Sequence, residues 1–130
     1  MARVLIVEDY PDTREILRII LESQGYICEE AENGLQALSK VQEMPYDLVL
    51  LDYEMPLING FQFMEKISSL KSPMNIPVIM MTGHATDHVR VQALQSGAVD
   101  ILAKPYDLDT LLTVIPQALV RKKVAQSCVA

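Results

Sequence analysis

Residues 46–60 read YDLVLLDYEMPLING, and the fold turns on how that stretch divides. Asp47 ends a polar turn, and Leu48, Val49, Leu50 and Leu51 follow as an unbroken apolar run. A run that short, with a β-branched member and turn signals on both sides, predicts a strand buried on both faces. It stops at a carboxylate, Asp52, where a parallel strand would leave its sheet. Pro56, four residues on, continues neither a ladder nor a helix interior. Open α/β sheets bind ligands beyond the carboxyl ends of their strands. A single Asp there is as readily a loop cap as a reactive group, so the rest of the chain has to decide.

On either side of this stretch, strand and helix signals alternate. Residues 3–7 (RVLIV) predict a first strand, ending at Glu8 and Asp9. Pro11 suits a first helical turn, and Ile16, Leu17, Ile19, Ile20 and Leu21 keep helical spacing up to Gly25. Residues 26–30 form a weaker strand, and Asn33 is the N-cap of a helix carrying Leu35, Leu38 and Val41. Asn59 and Gly60 open a third helix, with Phe61, Met64, Ile67 and Leu70 on one face. Residues 77–81 (PVIMM) predict a fourth strand ending at Thr82, and a helix with Val89, Ala93 and Leu94 runs to Gly97. Residues 99–103 make a fifth strand, ending at Lys104 and Pro105. The last helix carries Leu108, Leu111, Leu112, Ile115 and Leu119, with a kink or early break expected at Pro116. Five βα units with short connections require a parallel, doubly wound sheet with right-handed crossovers.

At 130 residues the chain suits one domain with a sizeable core. A net charge of −6 argues against a nucleic-acid surface, and no apolar run reaches membrane length. The N-terminus is too short and acidic for a signal peptide, which points to the cytoplasm. Cys28 and Cys128 match neither a metal spacing nor a disulfide framework, as fits thiols in a reducing compartment.

With strand order 2-1-3-4-5, the switch point falls between strands one and three, which brings Glu8, Asp9 and Asp52 together with Thr82 and Lys104 on the same rim. Crowded carboxylates repel, and a divalent cation is the usual resolution; hard oxygen ligands suit Mg²⁺. Lys104 adds a compact positive charge able to hold an anion. A carboxylate can itself attack phosphorus. The residues alone therefore point to Mg²⁺-assisted phosphoryl transfer onto Asp52.

Four motifs in order, VED (7–9), LLDYEMPLING (50–60), MTGH (81–84) and GAVDILAKP (97–105), make the chain resemble a response-regulator receiver domain of two-component signalling. The resemblance spans residues 3 to about 119 and implies a (βα)5 flavodoxin-like or CheY-like fold, with the receiver in residues 1–120 and a short tail in 121–130 without an output domain. It implies that Asp52 is the phosphoacceptor, and that Glu8, Asp9, Asp52 and the backbone carbonyl of Glu54 hold Mg²⁺. Lys104 would contact the phosphoryl group, with a cis bond to Pro105. Thr82 would be the switch hydroxyl, while Glu54 and His84 tune dephosphorylation. The implied partners are a sensor histidine kinase or histidine phosphotransfer protein, and an output protein or effector domain outside this chain; a homodimer is allowed. Neither membrane nor direct nucleic-acid binding is implied. Such a domain is a signalling switch that catalyses only its own phosphorylation and slow dephosphorylation, with output through helix 4, strand 5 and helix 5.

Two features depart from the family pattern. Ile101 stands where an aromatic switch residue is usual, and Pro116 interrupts the last helix. His84 and His88 have i,i+4 spacing, but it starts in a loop and lacks a third ligand. The basic run Arg121, Lys122 and Lys123 reads as a solvated helix end. The competing reading is a toprim-like Mg²⁺ enzyme acting on nucleic acid, since Glu8 with Asp52 and Glu54 mimics its acidic set. That reading leaves Thr82, Lys104 and Pro105 unexplained. A haloacid-dehalogenase-type phosphatase would carry its nucleophile after the first strand in D-x-D, which Glu8, Asp9 and Tyr10 do not match. A receiver that serves only as a docking module would have no need of its acids.

Overall fold

Five strands, β1 (Arg3–Val7), β2 (Ile27–Ala31), β3 (Leu48–Asp52), β4 (Val78–Thr82) and β5 (Asp100–Ala103), pair in parallel in the order β2-β1-β3-β4-β5. The computed structural model describes residues 2–70 and 76–127. Between and after the strands run α1 (Pro11–Ser23), α2 (Gly34–Glu43), α3 (Gly60–Ser68), α4 (Asp87–Gln95) and α5 (Leu108–Ser127). Side chains alternate across a strand, so each apolar run feeds two cores. Leu5, Val7, Val49, Leu51, Val78 and Met80 pack with residues of α2, α3 and α4. Val4, Ile6, Leu48, Leu50, Ile79 and Met81 pack on the other face with Leu17 and Leu21 of α1 and Leu111 and Ile115 of α5. This is the expected doubly wound sheet, with its switch point between β1 and β3.

The helix ends follow the chemistry of their sequences. Pro11 occupies the first turn of α1, where a missing N–H costs nothing. Asn33 accepts from the Gln36 amide at 2.9 Å, and Asn59 and Gln62 form a reciprocal capping box at α3. Gly25 and Gly97 follow α1 and α4 at φ of 92° and 108°, a region closed to most side chains. Gly34 serves a different purpose, close approach. A Cβ there would run into Ile58 Cγ1 and Cδ1, which would have to shift, so glycine lets α2 start close against the loop after β3.

Several sequence expectations shift. Leu35, Leu94 and Leu108, placed on buried helical faces by their spacing, are about half exposed. Val41 of α2 and Ala93 of α4 are buried as expected, and α2 also buries Gly34 and Ala37, which the spacing of large apolar residues does not single out. Phe61 is half-buried against Tyr53, with ring centroids 4.8 Å apart, while Phe63 is the fully buried aromatic of α3. The early break expected at Pro116 does not occur, and residues 121–127, read as a tail containing a basic helix end, continue α5. An interior proline costs about 3 kcal/mol; here Leu111, Ile115 and Ala118 are buried on both sides of it, which holds the helix across the lost hydrogen bond. Cys28 is a buried free thiol in β2, and Cys128 lies outside the described residues.

Candidate functional site

Among the described residues, the buried polar or charged side chains are Glu8, Asp52 and Thr82, with 4%, 2% and 0% exposure. All three lie at the carboxyl ends of the strands. Three apolar runs end at the same level of the sheet in polar groups that are costly to bury without partners. β1 and β3 are adjacent, with Val7 opposite Leu51, and that register sets Glu8 beside Asp52. Asp52 lies opposite Met81, one residue before Thr82, and Thr82 lies opposite Ala103, one residue before Lys104.

One carboxylate oxygen from each of Glu8, Asp9 and Asp52 lies within 4.8 Å of the others. Lys104 Nζ is 3.1 Å from Asp52 Oδ1 and 3.5 Å from Glu8 Oε2, a single cation facing two buried acids. Burial, then the neighbouring Asp52 carboxylate, pushes Glu8 up to about 7 against the pull of Lys104. Burial pulls Lys104 down, but the charges of Asp52 and Glu8 outweigh it and the net shift is upward, so the ammonium stays protonated. Glu8 Oε2 is buried without a hydrogen bond among the described residues. Three clustered carboxylates faced by one lysine, with a buried Glu8 oxygen that makes no hydrogen bond among the described residues, fit a hard divalent cation such as Mg²⁺.

The loops complete the rim. The Glu54 amide donates to Asp52 Oδ1 at 3.2 Å, folding the loop after β3 back over the acid. The Glu54 side chain turns away from the acid cluster. Its Oε1 accepts the Thr82 hydroxyl at 2.5 Å and the Gly83 amide at 3.2 Å. The Asp52 and Glu54 side chains therefore do not form the acidic pair that a toprim-like site needs. His84 donates its amide to Thr82 Oγ1 at 3.0 Å, while its side chain is exposed, as is that of His88. The Lys104–Pro105 peptide is cis, and Lys104, Pro105, Thr13 and Tyr106 line an open hollow of about 440 Å³ beside the acids. Ile101 lies in β5, 8% exposed, in the core that packs α2 to α4, which is also the face Thr82 points to by alternation.

Sequence spacing did not single out Arg14. Its Nη1 donates to the Glu8 carbonyl at 2.8 Å and its Nε to Glu30 Oε1 at 2.8 Å, tying the end of β1 to β2 through α1. One turn into α1, beside an apolar face, it looked like any solvated arginine. The Gly83 amide, a backbone donor, gives no sequence signal at all.

Residues 4–116 match the family model described as the response regulator receiver domain. The chain is 39% identical over 127 residues to the "Transcriptional regulatory protein CpxR homolog" of Haemophilus influenzae, which covers 98% of this chain and 54% of that protein. It spans between 28% and 54% of the length of the first transcriptional regulators it matches. Among solved structures, the CheY-like receiver domain protein of Methanospirillum hungatei superposes with a TM-score of 0.87 at 30% identity, covering 96% of this chain and 98% of that one. The response regulator TrrA of Thermotoga maritima, solved with Mg(2+)-BeF, gives 0.79 at 32% identity, covering 91% and 99%. No helix among the described residues is long and apolar enough to cross a membrane.

Proposed function

The chain belongs to the response regulator receiver domain family, and from that premise we propose that Asp52 accepts a phosphoryl group from a phosphohistidine on a sensor kinase or phosphotransfer protein. The observation that carries this reading is the buried Asp52 carboxylate, crowded by Glu8 and Asp9 and faced by Lys104 at 3.1 Å. In the transfer, an Asp52 oxygen forms a bond to phosphorus as the bond from phosphorus to the donor's imidazole nitrogen breaks. The imidazole keeps the electron pair and takes up a proton. Lys104 sets a positive charge beside the oxygens of the transferring group, and the Glu54 amide holds the Asp52 carboxylate in place. Glu8, Asp9, Asp52 and the Glu54 carbonyl would hold Mg²⁺, which when bound supplies further positive charge against the phosphoryl oxygens.

Thr82 and Ile101 are the residues we propose to read the phosphoryl group out to α4, β5 and α5, and from there to an output protein or effector domain. A Thr82 hydroxyl drawn toward Asp52 leaves space on the face it shares with Ile101. Isoleucine is stiff at its first torsion and smaller than the aromatic usual in the family. At about 25 cal/mol per Å², some 50 Å² less burial forgoes on the order of 1 kcal/mol of coupling. The switch should therefore be shallow. Amide NMR with and without beryllofluoride should show both populations in the wild type and a more complete shift in Ile101→Tyr; an identical two-state response in both proteins would refute it.

The acceptor is tested by mass. Incubated with Mg²⁺ and acetyl phosphate, the protein should gain one phosphoryl group, and Asp52→Ala or a chelator should abolish the gain. Equal labelling of Asp52→Ala would place the nucleophile elsewhere.

A further inference from the structure

Thr82 is wholly buried and has one proton to donate, and that proton is committed to Glu54 Oε1 at 2.5 Å. The adjacent Gly83 amide is committed to the same carboxylate, at 3.2 Å to Oε1 and 3.4 Å to Oε2. Glu54 is anchored at its other end, because its own amide donates to Asp52 Oδ1 at 3.2 Å. One residue thus touches the acceptor carboxylate through its backbone and the switch hydroxyl through its side chain. We propose that the Glu54 carboxylate is a latch, an anionic stand-in that holds the Thr82 hydroxyl and Gly83 amide until a phosphoryl group on Asp52 outcompetes it.

The proposal rests on Asp52 being the phosphoryl acceptor. A hydroxyl with a single proton cannot serve Glu54 and a phosphoryl oxygen together, so engagement of the phosphoryl group requires that the Glu54 bond break. A hydrogen bond to a charged acceptor is shorter and stronger than a neutral one, which sets a threshold the incoming group must exceed. The cost is local, because the Glu54 side chain is exposed and can turn into water. Glu54 is in this sense a positioning residue that acts through Thr82, distinct from any part its backbone carbonyl plays toward a cation. A lone threonine would leave the hydroxyl free to turn; here it is held from outside the site.

Affinity for beryllofluoride at saturating Mg²⁺ gives the test, measured as a double-mutant cycle. Glu54→Ala should bind about tenfold more tightly than wild type, and the Thr82 methyl resonance of the ligand-free variant should move toward its beryllofluoride-bound position. In a Thr82→Val background, or a Thr82→Ala background should valine disturb the core, the gain from Glu54→Ala should shrink severalfold, to the part that the Gly83 amide and the lost charge supply. An equal gain with and without the threonine hydroxyl would mean that Glu54 acts only by its charge, and would overturn the latch while leaving Asp52 as acceptor. Failure of the wild type to bind beryllofluoride in a manner dependent on Asp52 would overturn the acceptor reading and the latch together.

Discussion

The α1–β2 face and the carboxyl ends of β1 and β3 both withdraw acidic groups from water, and they handle them in opposite ways. On the α1–β2 face, Glu30 receives Arg14 Nε at 2.8 Å and Arg18 Nη1 at 2.6 Å, and Arg18 also reaches Glu22 at 3.0 Å. Both Glu22 and Glu30 have a guanidinium partner. At the strand ends, Glu8 and Asp52 share one lysine with Asp9 close by, and a buried Glu8 oxygen has no hydrogen bond among the described residues. The first arrangement pairs its charges within the chain; the second sets two buried acids against one lysine. Arg14 joins the two, since it pairs with Glu30 while fixing the Glu8 carbonyl.

The two regions should therefore respond to pH with opposite signs. The larger effect belongs to Glu8. Its folded value near 7 lies above the ordinary carboxylate range, so the folded state holds a proton that the unfolded state has lost. Stability in chelator should fall as pH rises from about 4.5 to 7 and stay low above that. Glu8→Gln removes the penalty and should be more stable than wild type at pH 8 by about 1–3 kcal/mol, with no such gain at pH 4. Mg²⁺ should shrink the difference by stabilising only the wild-type site. Urea denaturation at the two pH values, with and without metal, checks this; a Glu8→Gln variant less stable in chelator at pH 8 would mean the acids are not in conflict.

Glu30 should give the smaller effect in the other direction. Burial alone would raise it, but hydrogen bonds from Arg18 and Arg14 outweigh burial and hold it below the ordinary range. Its contribution is present above the unfolded value and is lost as pH falls through the folded one. Because the pair is partly open to solvent, Glu30→Gln should cost about 1 kcal/mol at pH 7. The cost should shrink toward pH 3, where wild-type Glu30 takes up its proton. A cost that persisted unchanged at acid pH would show that the network holds α1 to β2 by packing and not by charge.

Much of this was legible in the sequence because the sheet is parallel and buried on both faces. Its strands are plain apolar runs, and each of β1, β3 and β4 is followed or ended by a polar residue that marks the site. Asp52, Glu8, Thr82 and Lys104 could be named because strand ends of known order converge. The helices were less legible: spacing gives weight to large apolar residues, yet Ala37 is buried while Leu35 and Leu94 stand out in water. The contact between Glu54 and Thr82 was not legible at all. It joins positions 28 residues apart through an exposed side chain, whose direction depends on how two loops meet over the rim.

The close approach of Gly34 to Ile58 restricts how this chain can change. Any side chain at 34 would enter the space of Ile58 Cγ1 and Cδ1, so position 34 is not free to drift while Ile58 stays where it is. A lineage, or a designer, wanting alanine at 34 has to make room at residue 58 first or in the same step. The order of the two changes therefore matters: a smaller residue at 58 opens position 34, while a larger residue at 34 has to wait for it.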